Sequence, residues 1–112
     1  MDKKGIKTIM PLIRKIEERF QPERIILFGS RARDDYRKDS DYDLIIVADS
    51  FSKQHIHDRA VAVYAVKNIL ESIDVICYTP EEFEKMRNQL GIINQAMKEG
   101  IDLLEISKKK AA

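Results

Sequence analysis

The sequence predicts an α/β fold in which a small mixed β-sheet is flanked by helices. Three short apolar runs, rich in β-branched residues, have the length and composition of strands: Arg24–Phe28, Asp41–Val47 and Ile73–Tyr78. Longer segments with apolar residues at helical spacing precede, separate and follow these runs. Because strands alternate with helices, we expect the helices to pack against one central sheet. A length of 112 residues suits a single domain with one modest core.

The N-terminal segment predicts an amphipathic helix. Apolar side chains recur at helical spacing between residues 6 and 20, with Lys, Arg and Glu between them. Pro11 lies inside this pattern, so the helix either begins near Pro11, with proline in its first turn, or bends there. Gln21-Pro22 ends the helix, and the first strand follows directly.

Two more helices are predicted on either side of the third strand. Residues 55–70 are apolar on more than one side, which is typical of a largely buried helix. After the third strand, Thr79 is an N-cap, Pro80 stands at the first helical position, and Glu82 follows three residues after the cap. This combination predicts a helix that begins at Pro80.

The C-terminal segment predicts a helix, a short strand and a tail. Residues 91–107 start with a helical pattern that Gly100 closes, and a short final strand follows. The lysine-rich end resembles the frayed termini of most domains. We therefore predict one domain over residues 1–106 and a disordered tail over residues 107–112.

Composition and charge exclude several classes of protein. The net charge is only +1, which gives no basis for direct binding to nucleic acid. The single cysteine cannot form an internal disulfide, which fits a reducing compartment. The first residues lack the apolar core of a signal peptide, and no stretch approaches the ~18 apolar residues of a membrane span. We therefore expect a cytoplasmic protein that contacts no membrane.

Aspartates stand at the head of two predicted strands, although strand interiors disfavour aspartate. Asp41 and Asp43 lie two residues apart, so they project from one face, which Ile45 and Val47 continue as core. Asp74 opens the third strand in the same way. Each aspartate alone could cap a turn, but the joint pattern is much harder to explain by capping.

If these two strands are neighbours, three carboxylates meet at one edge of the sheet. Like charges in a partly dehydrated site raise each other's pKa and destabilise the fold, and a divalent cation reverses that penalty. The ligands are all oxygen, with no cluster of His or Cys nearby, so we expect Mg²⁺ or Mn²⁺ rather than zinc. Asp41, Asp43 and Asp74 are therefore the predicted metal ligands.

A Gly-Ser turn after the first strand predicts a nucleotide-binding site. Gly29 allows backbone conformations closed to other residues and lets a ligand approach the main chain. Ser30 supplies a hydroxyl at an expected helix start, and Arg31 and Arg33 add positive charge. The G-x-x-x-x-G-K-[ST] string of a P-loop is absent. Phosphate-binding amides beside carboxylate-held metal ions are the apparatus of phosphoryl or nucleotidyl transfer.

The chain contains Gly29-Ser30, then ten residues, and then Asp41-x-Asp43. This motif resembles the signature of the minimal nucleotidyltransferase (MNT) family, within the DNA polymerase β-like nucleotidyltransferase superfamily. The strings "GSRAR" and "SDYDLIIV" match its core motif, "IDVICYTPEEFEKM" resembles its third-carboxylate strand, and "INQAMKEGIDLLE" resembles its usual ending. The resemblance implies a polymerase β-like palm fold. The family often has glycine just after "GSRAR", where this chain has Asp34, a residue that we expect to face solvent.

The resemblance implies a role for each matching residue. Gly29 and Ser30 would hold the β- and γ-phosphates of ATP, the substrate. Asp41 and Asp43 would bind two Mg²⁺ ions, while Asp74 would bind the catalytic ion and help to activate the acceptor hydroxyl. In-line attack on the α-phosphate would transfer AMP and release pyrophosphate.

The resemblance also implies a protein partner. MNT proteins of this size resemble antitoxins that are paired with a HEPN-domain ribonuclease toxin and transfer AMP to a tyrosine of that toxin. We therefore expect a hetero-oligomer with a HEPN-type protein. Two alternatives stay open. One is an antitoxin that neutralises its partner by binding alone, with a vestigial site; the other is a small-molecule nucleotidyltransferase similar to those that act on aminoglycosides.

Other residues with reactive side chains are given structural roles. His55 and His57, two apart on a predicted helix, should point in different directions and make a poor metal pair. Cys77 is predicted as a buried strand residue. Tyr64 lies among Ala and Val at helical spacing, which is typical of core, and Tyr42 should face away from the neighbouring aspartates.

Overall fold

The computed structural model describes residues 3–33, 40–89 and 91–111, so Asp34 lies outside the described residues. The helices and strands are, in chain order, α1 Lys3–Phe20, β1 Arg24–Phe28, α2 Ser30–Arg33, β2 Tyr42–Val47, a 3-10 turn Asp49–Lys53, α3 Ile56–Ala65, β3 Ile73–Tyr78, α4 Pro80–Gln89, α5 Gly91–Glu99, β4 Ile101–Asp102 and α6 Leu103–Ala111. The three predicted strands are present. The second begins at Tyr42, one residue later than predicted, so Asp41 stands just before β2.

The strands form one mixed sheet in the order β3-β2-β1-β4, which confirms the predicted fold class. β1 is antiparallel to both β2 and β4, whereas β2 and β3 are parallel. A parallel pair needs a crossover connection, and α3 lies within it. As a consequence, the beginnings of β2 and β3 and the end of β1 meet at one edge of the sheet.

α1 continues through Pro11, since it begins at Lys3 and ends at Phe20. A helix that begins near Pro11 is therefore excluded. Proline inside a helix removes one backbone hydrogen bond and costs about 3 kcal/mol. The loss is offset by burial, because Ile9 and Leu12 on either side of Pro11 are fully buried and each such side chain contributes about 1.5–3 kcal/mol.

The two faces of the sheet pack against different helices. The face of Tyr42, Leu44 and Ile46 packs in a large core with residues of α1, α3 and α6. The opposite face, with Ile45 and Val47, packs in a smaller core with α4 and α5. The alternation predicted for β2 is therefore confirmed, and it places Asp43 on the face of the smaller core.

α3 differs from its prediction in length and in burial. It ends at Ala65, and its buried residues are Arg59 and Val63. Val61 and Tyr64 are 65% and 43% exposed. The prediction of a largely buried helix, with Tyr64 in the core, is therefore wrong. The reason is that α3 packs beside β3, the edge strand, and buries the side of the helix that carries Arg59 and Val63.

The C-terminal segment is helical beyond its last strand. β4 has two residues, and α6 then covers most of residues 107–112, the segment for which a tail is predicted. Leu103 and Leu104 join the large core, and Ser107 Oγ donates to Glu17 Oε1 at 2.8 Å. These contacts hold α6 against α1. Within the described part of the chain, no helix is both long and apolar enough to cross a membrane.

Candidate active site

Three aspartates lie at the edge of the sheet where β2 and β3 begin. Asp43 and Asp74 are directly paired in the parallel register, so their side chains leave the same face of neighbouring strands. Asp41 and Asp74 are exposed, whereas Asp43 is half-buried. On its other side Asp43 pairs with Phe28, the last residue of β1. The turn that follows Phe28 therefore adjoins the aspartates.

The pKa of Asp43 shows that the three carboxylates interact. Burial raises this pKa, the charges of Asp74 and Asp41 raise it further, and Arg33 acts in the opposite direction. Like charges in a partly dehydrated place produce this pattern. The fold thus brings the three aspartates predicted from the sequence within electrostatic reach of one another.

The donor set suits a hard divalent cation, because it consists of carboxylate oxygens. Asp43 and Asp74, adjacent in register, are best placed to share such an ion. Among the described residues no three His, Cys, Asp or Glu side chains converge as a finished metal site. Mutual repulsion favours carboxylates that turn apart, and a cation between them removes that repulsion. Metal binding by these residues stays a prediction that the donor chemistry fits.

Gly29 adopts a backbone conformation that other residues rarely reach. Its φ is +74°, in the left-handed region. A Cβ atom at this position would overlap Oδ2 of Asp43. The N–H groups of Ala32 and Arg33 donate to Gly29 O at 3.1 and 3.2 Å, which turns the chain into α2 at Ser30. Glycine is therefore needed both for the turn and for the close approach of the Asp43 carboxylate.

Arg31 contacts the side of β2 that faces away from Asp43. Its Nη2 and Nε donate to Ser40 O at 3.0 and 3.2 Å, and its guanidinium lies 4.4 Å from the ring centroid of Tyr42. The Tyr42 hydroxyl donates to Gly5 O of α1 at 2.9 Å. These contacts brace the start of β2 against α1. Tyr42 faces away from the aspartates, as predicted, and phosphate binding by Arg31 stays a prediction.

Arg33, in contrast, lies on the side of Asp43, where it helps to line a cleft. Its Nη1 donates to Glu99 Oε2 of α5 at 3.5 Å. The cleft has a volume of about 470 Å³ and is lined by Phe28, Gly29, Arg33, Gln95, Ala96 and Glu99. Small-molecule sites have volumes of this order. A larger hollow of about 600 Å³ beside Arg24 lies at the opposite end of β1, so the cleft next to Gly29 is the better candidate.

Side chains of α3 cover part of the outer edge of β3. The Tyr64 hydroxyl donates to Ile73 O at 3.2 Å, directly beside Asp74. Farther along, Arg59 Nη1 donates to Cys77 O at 3.3 Å. Edge strands leave backbone groups unpaired, and these two side chains satisfy some of them. Burial and the charge of Asp74 raise the pKa of Tyr64, so this hydroxyl lies within electrostatic reach of the aspartates.

Three residues near the candidate site are missed by the sequence prediction. Tyr64 was expected in the core, and Gln95 and Glu99 were given no role. The only sequence signal for the last two is their spacing, because residues four apart share one side of a helix. Nothing in the sequence indicates that this side of α5 meets the turn at Gly29.

The two histidines differ from their prediction, whereas the cysteine agrees with its own. The rings of His55 and His57 stack with centroids 5.5 Å apart, so the prediction that they point in different directions is wrong. The cause is that His55 precedes α3 in an extended conformation. No third ligand joins them among the described residues.

Cys77 is buried as predicted, and burial raises the pKa of its thiol to about 12, which disfavours the reactive thiolate.

Comparisons with known proteins agree with this geometry. The chain matches the family described as "Nucleotidyltransferase domain" over residues 9–111. Among solved structures it is similar to a candidate nucleotidyltransferase from Sulfolobus solfataricus, with 26% identity, 71% of each chain covered and a TM-score of 0.58. No curated protein matches the sequence.

Two further structural neighbours come from Arabidopsis thaliana. BolA1 has 15% identity and a TM-score of 0.54, with 67% of this chain and 94% of BolA1 covered. The BolA domain of SufE1 has 20% identity and a TM-score of 0.51, with 73% of this chain and 98% of that domain covered. At these identities the likeness shows a common fold, and a fold does not determine an activity.

Proposed function

The chain belongs to the nucleotidyltransferase domain family, and on this premise we propose that it transfers AMP from ATP to a hydroxyl group of a partner protein. The partner is a HEPN-type ribonuclease toxin, the acceptor is a tyrosine, and the protein acts as the cytoplasmic antitoxin. The family supports nucleotidyl transfer in general. The nucleotide, the acceptor and the partner are the specific part of the proposal.

The observation that carries the proposal is the register of β2 and β3. It sets Asp43 beside Asp74, with the left-handed turn at Gly29 against the same carboxylate. On this proposal, the triphosphate and the divalent cations would bind side by side at this edge of the sheet. A salt bridge does not explain why Asp41 and Asp74 lie near Asp43, because these three charges have the same sign.

Each group at the site has a role in the transfer reaction. Mg²⁺ ions held by Asp41, Asp43 and Asp74 would neutralise the triphosphate and lower the pKa of the acceptor hydroxyl. Gly29 brings the main chain close to the phosphates, and Arg33 adds positive charge on the same side. The acceptor hydroxyl gives up its proton to water, and its oxygen attacks the α-phosphorus to form a phosphodiester with AMP. The bond between the α-phosphorus and the oxygen of the leaving pyrophosphate breaks in the same step.

Exposed apolar residues support a protein as the acceptor. Ile56 and Val61 of α3 are 55% and 65% exposed, so this helix offers apolar side chains to a protein partner. Tyr64, on the same helix, reaches the backbone beside Asp74. A partner that packs on α3 would therefore bring its own side chains close to the aspartates.

The test is a transfer assay on the purified protein with ATP, Mg²⁺ and a HEPN-type partner. We expect the intact mass of the partner to increase by one or more AMP units, and the increment to vanish with Asp43→Asn. Asp49→Asn is the matched control, since Asp49 is an exposed aspartate of the 3-10 turn outside the site, and it should leave the increment unchanged.

The same assay separates catalysis from neutralisation by binding. A partner that is inhibited but keeps its mass would show that the antitoxin acts by contact alone. A partner that is neither modified nor inhibited would overturn the toxin–antitoxin assignment. Absence of pyrophosphate release from every nucleoside triphosphate and acceptor tested would overturn nucleotidyl transfer itself.

A further inference from the structure

We propose that Tyr64 is a positioning residue for Asp74. Its hydroxyl fixes the backbone on both sides of Asp74 and thereby holds this carboxylate in place for a divalent cation. The inference rests on the proposed function, because it requires Asp74 to bind a cation at the candidate site.

The two paired aspartates differ in the support that the sheet gives them. Asp43 lies in β2, a central strand, where Phe28 of β1 is its partner on one side and Asp74 its partner on the other. Asp74 lies in β3, the outer strand, which has β2 on one side only. Backbone groups on the outer side of an edge strand have no neighbouring strand to bind. The backbone around Asp74 therefore depends on side chains for its outer contacts.

The residues on either side of Asp74 direct their backbone groups to this outer side. Ser72 O accepts from the N–H of Tyr42 at 3.0 Å, so Ser72 faces β2. Successive residues of a strand direct their N–H and C=O groups to opposite sides. By this alternation Asp74 also faces β2, whereas Ile73 and Val75 face outward.

The Tyr64 hydroxyl contacts both of these outward-facing residues. It donates to Ile73 O at 3.2 Å. Burial and the charge of Asp74 raise the pKa of Tyr64, and a hydrogen bond with the Val75 backbone acts in the opposite direction. A hydroxyl can donate one hydrogen bond and accept others, so one oxygen can bind a C=O and an N–H together. Tyr64 thus takes the place of a neighbouring strand at the position of Asp74.

The helix that carries Tyr64 is itself anchored to β3. Val63, the preceding residue, is fully buried. Arg59, one turn earlier, is 5% exposed, donates to Cys77 O at 3.3 Å and pairs with Glu82. The Tyr64 ring therefore extends from a fixed helix to the start of the strand. Side chains that hold a metal ligand in place typically contribute 10–100-fold to metal affinity or activity.

Titration calorimetry with Mn²⁺, without nucleotide or acceptor, tests this role, because carboxylate sites suited to Mg²⁺ also bind Mn²⁺. Tyr64→Phe removes only the hydroxyl. We expect the Kd for Mn²⁺ to rise about 3–10-fold, less than for a direct partner of the carboxylate, because Tyr64 acts through the backbone. Asp74→Asn should raise the Kd further, since it removes the charge of the ligand itself.

Tyr78→Phe is the matched control. Tyr78 is the last residue of the same strand, at the opposite end from Asp74, and the substitution also removes one hydroxyl. It should leave the Kd for Mn²⁺ unchanged. Circular dichroism of each variant confirms that the fold is retained.

Hydrogen exchange separates positioning from a merely structural role. The Val75 amide loses its acceptor in Tyr64→Phe, so its exchange should be faster than in the wild-type protein. A merely structural role would increase this exchange and leave the Kd for Mn²⁺ unchanged. Positioning of Asp74 requires both to change.

Two kinds of result overturn the inference, and they are distinct from each other. A Kd that Tyr64→Phe leaves unchanged, or that Tyr78→Phe raises equally, would remove the positioning role while cation binding and the proposed function stand. No heat of Mn²⁺ binding to the wild-type protein, or a Kd that Asp74→Asn leaves unchanged, would remove Asp74 as a ligand. The metal site of the proposed function would then fail together with this inference.

Discussion

The two ends of β3 carry carboxylates in opposite electrostatic states. At its start, Asp74 lies beside Asp43, whose pKa is raised by burial and by like charges. Just after its end, the hydrogen bond from Arg59 lowers the pKa of Glu82. Glu82 also accepts from the N–H of Thr79 at 2.9 Å, while its own N–H donates to Thr79 Oγ1 at 3.2 Å. The predicted capping box is therefore confirmed at the end where charges are paired.

The difference separates a structural cluster of charges from a candidate functional one. Arg59 is only 5% exposed, so Glu82 neutralises a charge that would otherwise be costly to bury. That cluster is complete within the chain. The aspartates at the other end repel one another and would therefore gain from a bound divalent cation. Destabilising charge is tolerated where activity needs it.

The largest expected difference is in catalytic rate, between a substitution beside the start of β3 and one just after its end. Asp43→Asn should lower the rate of pyrophosphate release by roughly 10²–10³-fold or more, because it removes a charge from the centre of the site. Glu82→Gln should keep the rate within about threefold, since it changes only the structural cluster. Rates are compared at a temperature where both variants are folded. Equal losses in both variants would break the comparison.

Gly29→Ala should have the next largest effect. The added Cβ would displace the Asp43 carboxylate and strain the left-handed turn. Displacement of a catalytic group by about 1 Å can cost roughly 10²-fold in rate, so we expect a loss of about 10–100-fold in kcat. Gly91→Ala is the control, because a Cβ there meets nothing within 4 Å. An unchanged rate for Gly29→Ala would contradict the close approach of Asp43 to the turn.

Stability should change in opposite directions at the two ends. Glu82→Gln leaves Arg59 buried without its charge partner; because Glu82 itself is 38% exposed, screening limits the loss to about 1–2 kcal/mol. Asp43→Asn removes a repelling charge, so the free energy of unfolding in metal-free buffer should rise. Urea denaturation measures both. A destabilised Asp43→Asn protein would show that the aspartates do not repel one another.

Mg²⁺ should stabilise the wild-type protein more than Asp43→Asn. Any ligand that binds only the folded state stabilises it by mass action, about 1 kcal/mol when the ion is several-fold above its Kd. For a domain of this size, that corresponds to a rise in Tm of roughly 4–8 °C. Thermal unfolding with and without millimolar Mg²⁺ measures the difference. Identical shifts in both proteins would place the ion elsewhere.

The smallest effect is the pH dependence, which should have opposite signs at the two ends. The folded pKa of Glu82 is lowered from 4.5, so its stabilising contribution is present above that value and is lost as the pH falls through the folded pKa. The folded pKa of Asp43 is raised from 3.8, so its penalty is present above the folded pKa and disappears as the pH falls towards 3.8. Unfolding of wild type, Glu82→Gln and Asp43→Asn between pH 3 and 7 isolates the two contributions. The same sign for both residues would contradict the assignment.

Local patterns predicted most of the elements that build the site. The capping box of Thr79 and Glu82 depends on residues three apart, and the alternation of β2 depends on residues two apart, so each is readable from a short window. Glycine at position 29 likewise predicted an unusual backbone conformation, because that prediction needs only the residue type. α3 was mispredicted because its exposure depends on where the helix lies relative to β3, which no short window contains.

By itself, the sequence determined the strands, the glycine turn and the placement of three aspartates at strand starts, because these follow from residue type and spacing along one chain. Only the tertiary structure decided that β2 and β3 are adjacent and parallel in a register that pairs Asp43 with Asp74. It also decided that Arg31 lies over the ring of Tyr42, whereas Arg33 meets Glu99 of α5 at a cleft beside Gly29. Those outcomes depend on contacts between segments far apart in the chain, where packing and charge select the arrangement and local preference does not.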